Sequence, residues 1–99
     1  MTLDEFTDRI NTQDDCPSSL PGALQALWYE SKGDWDKAHQ IVQDASDSDS
    51  AWVHAYLHRK EGDLGNARYW YRRASQPESK ETLDQEWGHI AKVLLLASN

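Results

Sequence analysis

The chain has 99 residues, a net charge of −7 at pH 7 and a single cysteine. Ninety-nine residues allow one domain with a modest hydrophobic core. Five tryptophans and four tyrosines can bury large apolar areas and argue against disorder, and the single cysteine excludes an intrachain disulfide.

Acidic residues are concentrated in the first half of the chain. Residues 1–50 carry eleven acidic and three basic side chains (net −8), whereas residues 51–99 carry six acidic and seven basic ones (net +1). This asymmetry argues against nucleic-acid binding by the whole domain. The first 15 residues lack an apolar segment, and the longest apolar run, residues 93–97, is too short to span a bilayer. We therefore expect a cytoplasmic protein that binds neither nucleic acid nor membrane.

Residues 1–12 are predicted to form a short amphipathic helix. Its apolar residues recur at helical spacing: Leu3, Phe6 and Ile10. Thr2 and Glu5 have the spacing of a capping box, which would start this helix. Polar residues and a proline then predict a loop over residues 13–19. The loop contains Cys16, which has no base beside it in the sequence, so a catalytic thiol is not expected.

Two helical hairpins are predicted next, each built around a Gly-Asp break. The break of the first hairpin, about residues 20–46, is at Gly33, and that of the second, about residues 49–76, is at Gly62. Each glycine suits the left-handed end of a helix, and the aspartate that follows it is placed to cap the next one. In the first hairpin the residues predicted to face inward are Leu24, Leu27, Trp28, Ala38, Ile41, Val42 and Ala45.

The two hairpins repeat one pattern with an offset of 29 residues. Small residues then align in three pairs: Ala26 with Ala55, Ala38 with Ala67, and Ala45 with Ala74. A self-match of this kind indicates a helical repeat, and here the chain resembles the tetratricopeptide-repeat family over about residues 20–76. The family repeat is longer, about 34 residues. The stretch HAYLHRKEGDL-x-NA-x-YWYRRA also resembles a family of small bacterial proteins, and that resemblance brings no activity with it.

The tetratricopeptide resemblance implies two degenerate repeats whose first helices line a concave face. It places on that face Trp52, Tyr56, Arg59 and Lys60 from repeat two, and Ala23, Leu27, Glu30 and Ser31 from repeat one. Aromatic rings beside two cations suit a protein or peptide segment, in particular an acidic one. Replacing Arg59 and Lys60 by alanine is then expected to weaken binding and to leave stability almost unchanged. The alternative is that a terminal helix covers Trp52 and Tyr56.

Residues 79–97 are predicted to form that terminal helix, with Ser79 as its N-cap. Its apolar stripe consists of Leu83, Trp87, Ile90, Ala91, Leu94 and Leu95. Helical repeats need a terminal element that covers the last apolar face, so this helix is expected to close the stack.

Three histidines and a glutamate have a spacing that suits metal ligands. His54 and His58 are one turn apart, Glu61 follows three residues later, and His39 can approach from the preceding helix. The competing interpretation is packing, because His58 aligns with Tyr29 of repeat one and no HExxH motif or cysteine pair is present. Packed or hydrogen-bonded histidines are favoured, so no metal or other cofactor is expected.

A second basic group lies on the last helix of repeat two: Arg68, Arg72 and Arg73. Two of its members are one turn apart and suit a phosphate or a carboxylate. Pairing with acids of the same chain is the favoured alternative. The acids considered are Asp34, Asp36 and Glu61.

These observations predict an all-α fold of about six helices in one domain, residues 1–99. The leading functional hypothesis is a module that binds a protein or peptide through its concave face. The second hypothesis is a small metal-dependent or acid–base enzyme, and it uses His39, His54, His58, Glu61 and Asp63. The third is a structural subunit of a homo-oligomer. No residue is assigned a catalytic role under the leading hypothesis.

Overall fold

The computed structural model describes residues 1–98, and in this range the chain forms six α-helices and no strand. The helices are α1 (Leu3–Thr12), α2 (Gly22–Ser31), α3 (Trp35–Gln43), α4 (Ser48–Lys60), α5 (Leu64–Arg73) and α6 (Leu83–Ala97). The prediction of an all-α fold is confirmed. None of the helices in the described range has the length and apolar character needed to cross a membrane.

Helices α2 and α3 form one antiparallel hairpin, and α4 and α5 form another. At both breaks a glycine has positive φ, +88° at Gly33 and +89° at Gly62, a region that favours glycine. The amide of the next residue then donates to a carbonyl five residues back, and the same aspartate accepts from an amide of the following helix. The two breaks therefore have the same geometry, as the repeated sequence pattern predicts.

A third helix end repeats this geometry without glycine. Ser75 follows α5 with a φ of 56°, and the amide of Gln76 donates to the carbonyl of Tyr71 at 3.0 Å. A serine in the left-handed region is strained relative to a glycine, because its Cβ approaches the backbone. The first helix of each hairpin and the second helix of the second hairpin thus end with the same backbone geometry.

The predicted start of the terminal helix is corrected by the structure. The terminal helix begins at Leu83 and is capped by Thr82, not by Ser79. Thr82 and Gln85 form a capping box that pairs two otherwise free amides, whereas the Ser79 hydroxyl accepts only from the amide of Glu81. Helix α4 begins at Ser48 and is capped by Asp47, whose side chain accepts from the amide of Ser50 at 2.9 Å.

One hydrophobic core includes buried residues from all six helices. The hairpins stack through α3 and α2 against α4, and α6 lies across α4, α2 and α1. Helix α1 is anchored by Phe6, whose ring packs edge-on against Trp28 and stacks on Trp87. The capping box predicted for α1 is confirmed, with both hydrogen bonds between Thr2 and Glu5 at 3.1 Å. This arrangement places the predicted concave face of α4 beneath α6.

Candidate functional site

The two aromatic residues predicted to line the concave face are buried. Trp52 is 6% exposed and Tyr56 is 2% exposed, because α6 packs against α4. His89 of α6 lies edge-on to Trp52, and the indole N–H of Trp87 donates to the carbonyl of Leu27 at 3.2 Å. The terminal helix α6 therefore covers both rings, which is the alternative to an open concave face.

Arg59 is held by a buried carboxylate of α6. Its Nη1 donates to Glu86 Oε1 at 2.8 Å, and its Nη2 donates to the carbonyl of Glu81. The hydroxyl of Tyr71 donates to the other oxygen of Glu86, whose side chain is only 2% exposed. Burial raises the pKa of Tyr71, and the hydrogen bond to Glu86 raises it further, so this hydroxyl stays a donor. Arg59 is therefore part of the fold, not a solvent-facing cation.

Glu86 is a central residue that sequence reasoning missed. It precedes Ile90 by one helical turn and Leu94 by two, so it lies on the apolar stripe of α6. A carboxylate on such a stripe needs a partner when it is buried, and this signal was present in the sequence. The identity of the partners could not be predicted from the sequence, because Arg59 and Tyr71 are 27 and 15 residues away from Glu86.

Lys60 is paired across the two hairpins. Its Nζ donates to Oε1 of Glu30 on α2, a side chain that is 4% exposed. Beside this pair is a cavity of about 290 Å³ between α2, α4 and α6. The residues that line it are Glu30, Ser31, Tyr56, Lys60, Asp84 and Trp87.

Carboxylates dominate the electrostatics of this cavity. Burial raises the pKa of Tyr56, and the carboxylates of Glu30, Glu86 and Asp84 raise it further, against the opposing charge of Arg59. Glu30 and Glu86 are already neutralised by Lys60 and Arg59, whereas Asp84 forms no ion pair within residues 1–98. The cavity therefore presents one uncompensated negative charge.

The three histidines singled out in the sequence converge at the interface between the hairpins. His39 of α3 and His54 of α4 place their Nε2 atoms 3.1 Å apart. One ring nitrogen from each of His39, His54 and His58 lies within 4.8 Å of the other two. His54 is 3% exposed and His58 is 7% exposed, whereas His39 is half-buried at the rim.

Aromatic rings pack around this histidine cluster. The ring of His54 stacks on Trp70 with centroids 3.9 Å apart, and His39 stacks on Trp35 at 4.9 Å. The indole N–H of Trp35 donates to the carbonyl of Leu57 at 2.9 Å, which fixes that ring against α4. The histidines are thus packed, as the sequence favoured, and they also form a convergent set of nitrogen atoms.

Glu61 contacts one member of the cluster. Its Oε1 lies 2.6 Å from His58 Nδ1, so the N–H of that nitrogen is donated to the carboxylate. His54 is less well satisfied, because its Nδ1 is buried without a hydrogen-bond partner in the described part of the chain. Burial lowers the pKa of His54 to about 4, and the charges of His58 and His39 lower it further. Burial and His58 also lower the pKa of His39, although Glu61 and Asp36 act in the opposite direction.

The histidine cluster does not line any of four cavities found in the described part of the chain. Four cavities, of about 330, 290, 270 and 240 Å³, are lined by side chains other than these histidines. The nitrogen atoms can share protons or hold a cation, but rings of tryptophan cover them. Asp63, the fifth residue of the enzyme hypothesis, is exposed and caps α5.

The second basic group does not pair with the acids considered in the sequence. Arg68 lies 3.9 Å from Glu78, and Arg73 packs over the rings of Tyr69 and Trp70. Arg68 and Arg72 line a cavity of about 270 Å³ with Glu78 at its edge. Within residues 1–98 only Arg68 of this group has an acid within ion-pair distance, and that acid is Glu78 of the linker after α5, not one of the three considered.

Cys16 is half-buried in the loop after α1, and burial raises the pKa of its thiol. A thiol of this kind is a poor nucleophile at neutral pH.

Comparisons with protein-family models, curated proteins and solved structures give no match for this chain. The tetratricopeptide resemblance therefore stays a prediction based on the repeat pattern.

Proposed function

We propose that this chain is a small interaction module that binds a segment of a partner protein. The observation that carries the proposal is the cavity of about 290 Å³ between α2, α4 and α6. Four of its six lining residues occupy positions that the repeat alignment assigns to the concave face: Glu30, Ser31, Tyr56 and Lys60. One recess thus uses both hairpins and the terminal helix.

The size and charge of the cavity favour insertion of one basic side chain. Its volume of about 290 Å³ lies just below the range of about 300–1,000 Å³ for small-molecule sites, which suits a side chain better than a length of backbone. Asp84 is exposed at its rim and unpaired within the described residues, so a guanidinium or an ammonium group would gain a charge-assisted hydrogen bond. This proposal replaces the acidic partner expected from Arg59 and Lys60, whose charges are already paired.

The enzyme hypothesis has less support, because its histidines are packed against tryptophan rings and line none of the four cavities described above. Side chains packed in this way contribute to the stability of the fold and are not placed to contact a substrate. A peptide module also agrees with the arrangement of two hairpins, a fold type that often presents recessed surfaces.

Binding of defined peptide pools tests the proposal. Fluorescein-labelled pools with one fixed central residue (arginine, glutamate or alanine) are titrated with the full chain, and fluorescence anisotropy is followed. We expect the arginine pool to bind most tightly and Asp84→Asn to weaken that binding about tenfold, the size of one charge-assisted hydrogen bond. Asp49→Asn is the matched control, since Asp49 is an exposed acid that lines a different cavity. Equal binding of all three pools, or a preference for glutamate, would refute the proposed partner.

A further inference from the structure

The histidine cluster joins the two halves of the molecule. His39 belongs to α3 in the first hairpin, and His54 and His58 belong to α4 in the second. Their ring nitrogens converge within 4.8 Å, although His39 is 15 residues from His54 in sequence. None of the three lines the cavity proposed for peptide binding, so this cluster concerns a separate property of the protein.

Hydrogen bonding within the protein does not satisfy these nitrogens. With the Nδ1 proton of His58 donated to Glu61, the remaining ring nitrogen of His58 is a lone pair. Between His39 and His54, neutral rings supply one N–H and one lone pair across 3.1 Å. The second ring nitrogen of His54 has no partner although the residue is 3% exposed. The lone pair of that His58 nitrogen therefore has no hydrogen-bond donor within residues 1–98.

Additional protons on these buried rings are disfavoured. A proton on His54 would create a charge in a buried place beside two other imidazoles, and for that reason burial and those rings lower its pKa. Neutral imidazole is the form that binds metal ions.

The contact between His58 and Glu61 matches the support that metal-bound histidines have in other proteins. A ligating histidine usually donates its second N–H to a carboxylate, which fixes the ring orientation and raises the basicity of the ligand. Here the Nδ1 to Oε1 distance is 2.6 Å, and the carboxylate is placed by the end of α4, where Glu61 is the C-cap. Glu61 thus acts on His58 from outside the cluster.

We propose that His39, His54 and His58 bind one divalent transition-metal ion of the zinc class, with Glu61 positioning His58. Imidazole nitrogens suit zinc, copper and nickel. Two nitrogens on a tetrahedral zinc ion are about 3.3 Å apart, given zinc–nitrogen bonds of about 2.0–2.1 Å, and the His39 to His54 distance of 3.1 Å is close to this value. Three protein ligands leave one position for water.

The bound ion clamps α3 to α4 and so ties the first hairpin to the second. Because an ion that binds only the folded chain stabilises it by mass action, metal binding should raise the melting temperature. The ion is expected to act on stability, since tryptophan rings occupy the space beside the histidines.

The test uses the full chain, purified without an affinity tag, stripped with a chelator and returned to metal-free buffer. Zinc chloride is titrated by calorimetry, and cobalt chloride is titrated with visible absorption, which reports a tetrahedral nitrogen environment. We expect one ion per chain, a higher melting temperature and reversal by chelator. His39→Gln should weaken affinity at least tenfold, and Glu61→Gln about 10–100-fold, as for other residues that support a ligand.

His89→Gln is the matched control, because His89 is exposed on α6 and pairs with Glu81 outside the cluster. Circular dichroism verifies that each variant is folded. If His39→Gln does not fold, Glu61→Gln still tests the proposal, because Glu61 is exposed and its replacement should leave the fold intact. The proposal is overturned if the folded wild-type chain binds no zinc saturably. It is also overturned if His39→Gln binds as tightly as wild type, which would place the ion on His58, Glu61 and Asp63. An equal loss in His89→Gln would show adventitious binding and would overturn it too.

Discussion

Removal of Arg59 should destabilise this protein strongly, although the sequence alone predicts almost no effect. In Arg59→Ala, the carboxylate of Glu86 keeps only the Tyr71 hydroxyl as a donor, while its side chain stays 2% exposed. Breaking a buried ion pair by removing one partner costs about 3–5 kcal/mol, because an uncompensated charge remains in the interior. A domain of this size has a free energy of unfolding of about 5–15 kcal/mol, so the variant should approach its stability limit.

A double-mutant cycle separates the stranded charge from the lost packing of the arginine stem. Glu86→Gln removes the charge and keeps the shape, and in the double variant neither a buried charge nor its partner remains. We therefore expect the double variant to be more stable than Arg59→Ala alone, with a coupling energy of about 1–3 kcal/mol. Arg73→Ala is the control, because Arg73 is exposed and packs over Tyr69, so its loss should cost under about 0.5 kcal/mol.

Urea unfolding at neutral pH, followed by circular dichroism and tryptophan fluorescence, gives the free energy of unfolding for each variant. A loss below about 1 kcal/mol in Arg59→Ala would put the pair in the class of exposed salt bridges and refute the reasoning. A coupling energy near zero would show that packing of the arginine stem, and not charge, accounts for any larger loss.

Four further perturbations follow from the backbone and the core. Gly62→Ala should lower the free energy of unfolding by about 1 kcal/mol, since nothing lies within 4 Å of the added Cβ and only the positive φ opposes it. Ser75→Gly should raise the free energy of unfolding by up to about 1 kcal/mol, because it removes the Cβ from a residue with positive φ. Urea unfolding measures both changes, and a gain in both variants would contradict this account. Truncation after Ser75 removes α6 and should abolish cooperative melting, because Ile90, Ala91, Leu94 and Leu95 then leave the core. In metal-free protein, burial lowers the pKa of His54 to about 4, whereas its ordinary value in the unfolded chain is 6.5. The contribution of the neutral ring to the free energy of unfolding is therefore complete above pH 6.5 and is lost as the pH falls toward 4. His54→Gln should flatten that part of the stability profile, and an unchanged slope would rule out His54 as its source.

The helices and their ends were predictable because their determinants are local. Each Gly-Asp break needs only a residue that tolerates positive φ and a side chain that accepts from an amide three residues on, and both occur at Gly33 and at Gly62. The 3.6-residue spacing of apolar side chains likewise indicates which face of a helix is buried. The one misplaced cap, Ser79 instead of Thr82, shows the limit, since two hydroxyl residues near one helix start compete within a few residues.

The candidate sites depended on contacts between distant residues. Sequence spacing placed His54 and His58 on one helix and proposed His39 as a third member, but only the packing of α3 on α4 brings the Nε2 atoms of His39 and His54 to 3.1 Å. A histidine spacing is compatible with packing and with ligation alike, and the burial of the rings and the unpartnered Nδ1 of His54 distinguish this cluster from a solvated one.

The sequence by itself determined the helices, their breaks and the repeat of one hairpin, because these follow from interactions among residues a few positions apart. The tertiary structure alone decided where α6 lies, and with it the burial of Trp52 and Tyr56 and the partners of Arg59 and Lys60. Those ion pairs span 27 and 30 residues. The sequence of an amphipathic helix shows which of its faces is apolar, but it does not show which surface that face packs against. Only the packing of the whole core selects that surface.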